Sequence, residues 1–382
     1  MKIVFKTMLG VAAAALMHSC ATAPTQTLSG LDPQKFVAEI NGKPTALYTL
    51  TNANGMEVCV TNLGGRIVSV MVPDRNGEMK DVVLGFDNVA NYADKVNSPS
   101  DFGASVGRYA NRINKGVIVI DGETIQLPQN NFGHCLHGGP DGWQYQVYDA
   151  EQTDESTVVL TMESPDGDAN FPGAVTAVVT MKVTDDNAID ISYEAVTDRK
   201  TVINMTNHTY FNLSGDPTRR VDDQIMQINA DNYTPVDFTF MTTGEILPVE
   251  GTPMDFRQPV AIGQDIKNFE FQQVKFGNGF DHNWCLNTAG DDTQVAARAY
   301  CPETGICLEV LTDEPGVQFY SGNFLDGTVT GKNGVVYQQS VGFCLETQKY
   351  PDTPNKPEWP SAFLEPGQKY SSHCVYRFSV VE

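Results

Sequence analysis

The feature that most limits what this chain can fold into is its succession of short, turn-bounded segments rich in Val, Ile, Thr and aromatic residues, with very few windows holding a helical period. Strand-like runs over 47–51 and 56–61 flank Asn52-Ala53-Asn54-Gly55, and the run over 67–72 leads into Asp74-Arg75-Asn76-Gly77. The clearest hairpin joins 116–120 to 123–127 through Asp121-Gly122, because Asp-Gly accepts the positive φ angles of a tight primed turn. Further strands are expected at 158–162, 175–183, 188–196, 224–229, 295–300, 307–312, 318–321 and 375–380, with brief helical turns only at 87–92 and 262–268. So many strands without a repeat or compositional break predict an all-β chain built as one large antiparallel β-sandwich domain over 39–382. Two smaller all-β domains are the alternative, but the sequence offers no linker at which to divide them.

The first twenty residues stand apart from this pattern. Lys2 and Lys6 precede an apolar run over 8–17 that is too short to span a bilayer, the signature of a bacterial export signal. Leu16-Met17-His18-Ser19-Cys20 resembles a lipoprotein processing site, which makes Cys20 the expected lipid attachment point and 21–38 a flexible tether. The chain is therefore expected to be exported, periplasmic or held at the outer membrane of a Gram-negative-type bacterium, with membrane contact only through that anchor.

Acidic residues outnumber basic ones 47 to 25, for a formal charge of -22, and no Lys/Arg block appears. Nucleic acid and anionic membrane surfaces both demand clustered positive charge, so neither is expected as a partner. Beyond Cys20 the cysteines are Cys59, Cys135, Cys285, Cys301, Cys307, Cys344 and Cys374, without Cys-x-x-Cys or His-rich metal spacing. Cys301 and Cys307 are spaced to meet across a hairpin; Cys135, Cys285 and Cys344 lie in apolar runs that suit buried thiols. No disulfide framework and no metal site are expected.

Several short stretches carry residues able to do chemistry. Asn204-Met205-Thr206-Asn207-His208-Thr209-Tyr210-Phe211-Asn212 places a histidine on a β element among three asparagines whose amides are candidates to fix its tautomer. Asn111-Arg112, with Arg108 just before, offers fork-shaped donors suited to neutral hydroxyls. His137 precedes Gly138-Gly139, a pair that permits close approach of backbone or ligand. Phe280-Asp281 sets a carboxylate beside an aromatic ring, and Glu346 closes an apolar run where desolvation would raise its pKa toward the range of a general base. Each pattern also occurs in ordinary turns and strand ends.

Taken in order, His137-Gly138-Gly139, Thr206-Asn207-His208-Thr209-Tyr210-Phe211-Asn212-Leu213, Gly279-Phe280-Asp281-His282-Asn283, Leu345-Glu346-Thr347-Gln348 and Phe363-Leu364-Glu365-Pro366-Gly367 resemble the aldose 1-epimerase (galactose mutarotase) family. The resemblance extends from about Thr45 to Phe378 and implies that family's supersandwich fold. It implies His208 as general acid and Glu346 as general base in opening and reclosing the ring of a free hexose such as galactose or glucose. It further implies Asn111, Arg112, His137, Tyr210, Asp281 and Gln318 as substrate-binding residues, with Arg108 ranked below them. No cofactor is implied, because opening a hemiacetal needs one proton delivered and one removed. The expected partner is a free monosaccharide, and the chain is expected to be a monomer.

Three rival functions fit parts of the pattern. A glycoside hydrolase would use Asp281 and Glu346 as its two carboxylates. A non-catalytic sugar-binding lipoprotein would keep the pocket without needing both proton-transfer groups. A hexose-6-phosphate epimerase would want a basic cluster beyond Arg108 and Arg112, and the sequence has none.

Overall fold

The computed structural model describes residues 26–381; Cys20 and the export signal lie outside them. The described part of the expected flexible tether over 21–38 is instead tied to the domain: Pro33–Phe36 forms a 3₁₀ turn, and Leu31 and Phe36 are buried in a hydrophobic cluster. Within these bounds the chain is nearly all β, with two short α-helices, Val89–Ala93 and Gln272–Gly277. The strands expected at 175–183 and 295–300 are observed with those ends as Val175–Val183 and Val295–Tyr300. At the Asp121-Gly122 hairpin both turn residues have positive φ, 52° and 84°, and Val117–Ile120 pairs with Glu123–Gln126. The expected helical turn near 87–92 is the helix Val89–Ala93, whose N-terminal Asn88 side chain accepts the Asn91 N–H. The turn expected at 262–268 shrinks to the single 3₁₀ turn Ile262–Gln264. The sequence pattern misses Gln272–Gly277, because Phe271 at its start supplies no capping side chain.

A nine-stranded antiparallel sheet forms one wall. Its order is Asp149–Asp154, Thr157–Ser164, Val175–Val183, Ala188–Thr197, Tyr370–Val380, Ile306–Thr312, Val295–Tyr300, Ile225–Ile228 and Val260–Ala261. Its central strands alternate buried and half-exposed residues, as expected when one face meets a core and the other meets water. Facing it are a four-stranded sheet, from Leu47–Thr51 through Met79–Asp81, and a five-stranded sheet. The latter runs Leu247–Pro248, Asn232–Thr234, Asp281–Cys285, Gly316–Tyr320 and Cys344–Gln348. One contiguous core joins the layers, with Trp284, Phe319 and Leu345 of the five-stranded sheet meeting Tyr193, Val310 and Tyr376 of the nine-stranded one.

The last three strands of the five-stranded sheet are buried on both faces. Side chains alternate along a strand, so Trp284, Phe319 and Leu345 fill the core while Asp281, Tyr320, Cys344 and Glu346 point the other way. That second face is where the functional groups collect. A two-stranded ribbon, Ala104–Val106 with Thr206–His208, lies across it. All seven cysteines among the described residues are buried and free, Cys301 in the core and Cys307 beside the Arg298 guanidinium, Nε to Sγ 3.2 Å.

Candidate active site

His208 ends its strand opposite Ala104, and its carbonyl accepts the Gly103 N–H at 3.0 Å. The imidazole stacks on Tyr210, with ring centroids 5.1 Å apart and planes 20° off parallel, and meets the edge of His137 at 5.2 Å. Its Nε2 lies 3.6 Å from Glu346 Oε1 and its Nδ1 lies 3.5 Å from Cys344 Sγ. The neighbouring asparagines do not touch the ring, contrary to the sequence expectation. Asn204 bonds the Ala110 carbonyl and the Lys349 N–H, Asn207 the Gly103 carbonyl and the Thr209 N–H, and Asn212 the carbonyls of Asp216, Arg219 and Val341. They brace the backbone that carries the histidine, which is the commoner use of an Asn side chain next to a turn.

Glu346 faces the cleft from Cys344–Gln348, with Gln318 as its cross-strand partner. Burial pushes its carboxyl up to about 7, and nearby Asp281 and Asp101 push the same way while His208 and Arg112 oppose them. Its Oε2 is buried and has no hydrogen-bond partner among the described residues, an acceptor left for whatever fills the cleft.

His137 is held by a short two-way clasp: its N–H reaches the Asn111 carbonyl and its Nδ1 accepts the Asn111 N–H, both at 3.1 Å. Asn111 and His137 both have left-handed backbones, φ 62° and 50°, and backbone strain held by such contacts is typical of functional sites. With Nδ1 occupied as an acceptor, the ring proton of neutral His137 resides on Nε2. Burial lowers its pKa to about 3, so it stays a neutral donor at any physiological pH. Gly138 is required by the fold more than by a ligand: a Cβ there would stand 2.4 Å from the Gly107 carbonyl oxygen.

Arg112 bonds Asn131 through Nε at 3.2 Å and lies over the Phe240 ring at 5.2 Å. Burial lowers its pKa, with Asp281 and Glu346 opposing. Asp281 accepts the Gln318 amide at 2.7 Å. These groups, with Tyr210 and Tyr320, surround a cleft of about 490 Å³ whose mouth is marked by Phe132 and Phe324.

The structure thus brings His208, Glu346, Asn111, Arg112, His137, Tyr210 and Asp281 to one cleft. Two expected binding residues are placed differently. Gln318 does not line the cleft and instead orients Asp281. Arg108 is buried elsewhere, its guanidinium donating to the carbonyls of Pro172 and Gly173 and to Ser164 Oγ, so it closes loops and does not meet a ligand. Tyr320, Cys344 and Asp101 were not picked out by the sequence pattern. The first two sit two residues from Gln318 and Glu346 on the same strand faces, so the two-residue period could have found them; Asp101 lies outside any strand and gave no signal.

Asp101, His137 and His208 also form a group with metal-ligand spacing, their nearest donor atoms within 4.8 Å of one another. The clasp to Asn111 places the His137 proton on the very nitrogen that would have to ligate, so this arrangement suits hydrogen bonding better than metal binding.

Comparison with known proteins agrees with the geometry. The family model for aldose 1-epimerase matches residues 46–377. Human galactose mutarotase is 41% identical over 325 residues, covering 85% of this chain and 92% of that protein. The aldose 1-epimerase of Escherichia coli K12 is 38% identical over 341 residues, 88% of this chain and 96% of its own. Among solved structures, an aldose epimerase homologue from C. elegans superposes with a TM-score of 0.81 at 29% identity, over 88% of this chain and all of that one. Galactose 1-epimerase from Lactobacillus acidophilus gives 0.78 at 29% identity, over 90% and 97%. The chain belongs to the aldose 1-epimerase family.

Proposed function

We propose that this chain is an isomerase that interconverts the α and β anomers of free hexoses such as galactose and glucose. The observation that carries this reading is an imidazole and a carboxylate facing each other at 3.6 Å in one cleft, with hydrogen-bond donors and further carboxylates around them. Glu346 takes the proton from the C1 hydroxyl while His208 Nε2 gives one to the ring oxygen. The C1–ring oxygen bond breaks with its electron pair going to oxygen, and C1 becomes the aldehyde carbon. Rotation about C1–C2 exposes the other carbonyl face, and the two groups run in reverse to close the opposite anomer. No electrons are gained or lost, and each proton-transfer group typically contributes about 10² to 10⁴ in rate. In this reading His137 Nε2–H, Arg112 and the Gln318-oriented Asp281 hold the hydroxyls during the rotation. One buried guanidinium among Asp101, Asp281, Asp326 and Glu346 makes the cleft poor for phosphorylated sugars. Polarimetry on freshly dissolved α-D-galactose or α-D-glucose tests the reading: rotation is expected to relax much faster with the protein than in buffer, and equal rates reject it.

We further propose that the protein is exported and lipid-anchored through Cys20, supported by Lys2, Lys6, the apolar run and the Leu16-to-Cys20 motif. Cys20→Ala is expected to move it from the membrane to the soluble fraction; persistence at the membrane counts against the anchor.

A further inference from the structure

Cys344 precedes Glu346 by two residues on the same strand and so shares its face of the sheet. The side chain is fully buried, and its one hydrogen-bonding contact among the described residues is His208 Nδ1 at 3.5 Å. Nδ1 has no other polar partner there. Burial keeps the sulfur a neutral thiol, its pKa well above the usual range.

Taking His208 as the acid, as the proposed reaction does, its two nitrogens have opposite duties. Nε2 gives a proton to the ring oxygen and must take it back on closure, so it is bare in between. The neutral imidazole therefore has to keep its remaining proton on Nδ1. A thiol can enforce this or defeat it. Sulfur accepting from Nδ1–H leaves Nε2 free to shuttle, whereas S–H aimed at Nδ1 would put the proton on Nε2 and stop reclosure. At the start of a cycle His208 carries both protons, so Sγ can only accept, and the Nδ1–H···S contact is already made when Nε2 lets go.

The geometry points to Cys344 as a positioning residue whose sulfur holds the Nδ1 proton of His208 throughout the cycle. A neutral sulfur is also a weak acceptor. A carboxylate in its place would stabilise the imidazolium and make it a poorer acid.

The test compares Cys344→Ala, Cys344→Ser and Cys344→Asp, using polarimetric kinetics across pH and ¹⁵N NMR of the histidine rings. Wild type is expected to show His208, when neutral, as the Nδ1–H tautomer. The Ala variant is expected to show mixed tautomers and a kcat lowered about 10-fold with KM nearly unchanged, a fraction of the ~10² to 10⁴ the acid itself supplies. Ser, with an acceptor oxygen, restores most of the kcat. Asp moves the histidine's titration in the pH profile upward by about one unit or more, as an adjacent opposite charge does. An Nε2–H tautomer in the wild type, or an Ala variant with unchanged kcat and pH profile, overturns the proposal. Should Ala fail to fold, the tautomer in the Ser variant decides alone: Nδ1–H supports the role and Nε2–H removes it. The NMR reading needs no turnover, so a wild type with the Nδ1–H tautomer but no mutarotation would count against the reaction and leave the Cys344 contact standing.

Discussion

Glu346→Gln is expected to lower kcat about 10³-fold, within the range general bases contribute, and at the same time to make the protein more stable in mildly alkaline solution. Glutamine keeps the shape of the side chain and removes the carboxylate that, in the proposed reaction, takes the C1 hydroxyl proton. The stability effect follows from burial, which raises the folded-state pKa from 4.5 to about 7. A carboxyl with a raised pKa folds without penalty below its unfolded value and loses that advantage as pH climbs to the folded one. The difference amounts to about 3 kcal/mol once both states are ionised. Urea midpoints of variant and wild type should therefore diverge in favour of the variant from pH 5 to pH 8, and a constant offset across that interval would show that Glu346 is not carrying its charge in a desolvated place. Wild-type kcat should rise over the same interval, as Glu346 gains the carboxylate that the proposed reaction requires.

Gly103→Ala is expected to be the most damaging single-methyl change near the site. Gly103 has φ +68°, and a Cβ there would lie 1.9 Å from the Ile67 carbonyl oxygen, a distance no rotamer change relieves because the Cβ is fixed by its own backbone and the oxygen is a backbone atom. Its N–H bonds the His208 carbonyl at 3.0 Å, and its carbonyl accepts the Ile67 N–H at 2.9 Å and the Asn207 amide at 3.0 Å. Moving it displaces the four-stranded sheet and the histidine together. A loss of about 4 kcal/mol or more is expected, in the tail of point-mutant effects, with reduced kcat in whatever folds. Gly77→Ala is the control: its φ is +78°, but beyond its chain neighbours no described atom lies within 4 Å of the added carbon, so only the left-handed backbone penalty of about 1 to 2 kcal/mol applies. Equal losses in the two variants would show that the contact with Ile67 does not matter.

The strands were legible where alternation and turn chemistry coincide, as at Val175–Val183 and at Asp121-Gly122. Which strands become neighbours was not legible. Tyr370–Val380 inserts between Ala188–Thr197 and Ile306–Thr312, and nothing local in its sequence names those partners. In the site, the residue types of His208 and Glu346 suggested acid/base chemistry, but their roles came from the family motifs and not from periodicity. The asparagines around His208 were misassigned because a short amide bonds the nearest free backbone groups before it can reach a ring. Arg108 and Arg112 looked alike in sequence, yet the carbonyls of 172–173 and the Ser164 hydroxyl capture one while the other stays in the cleft.

The facing pair His208 and Glu346 is drawn from two segments far apart in the sequence, one on the small ribbon and the other on the five-stranded sheet. Neither segment alone holds the whole centre. During refolding, catalysis can return only once the ribbon has docked onto the sheet, whatever secondary structure has formed by then. Turnover regained on refolding thus reports that one docking event.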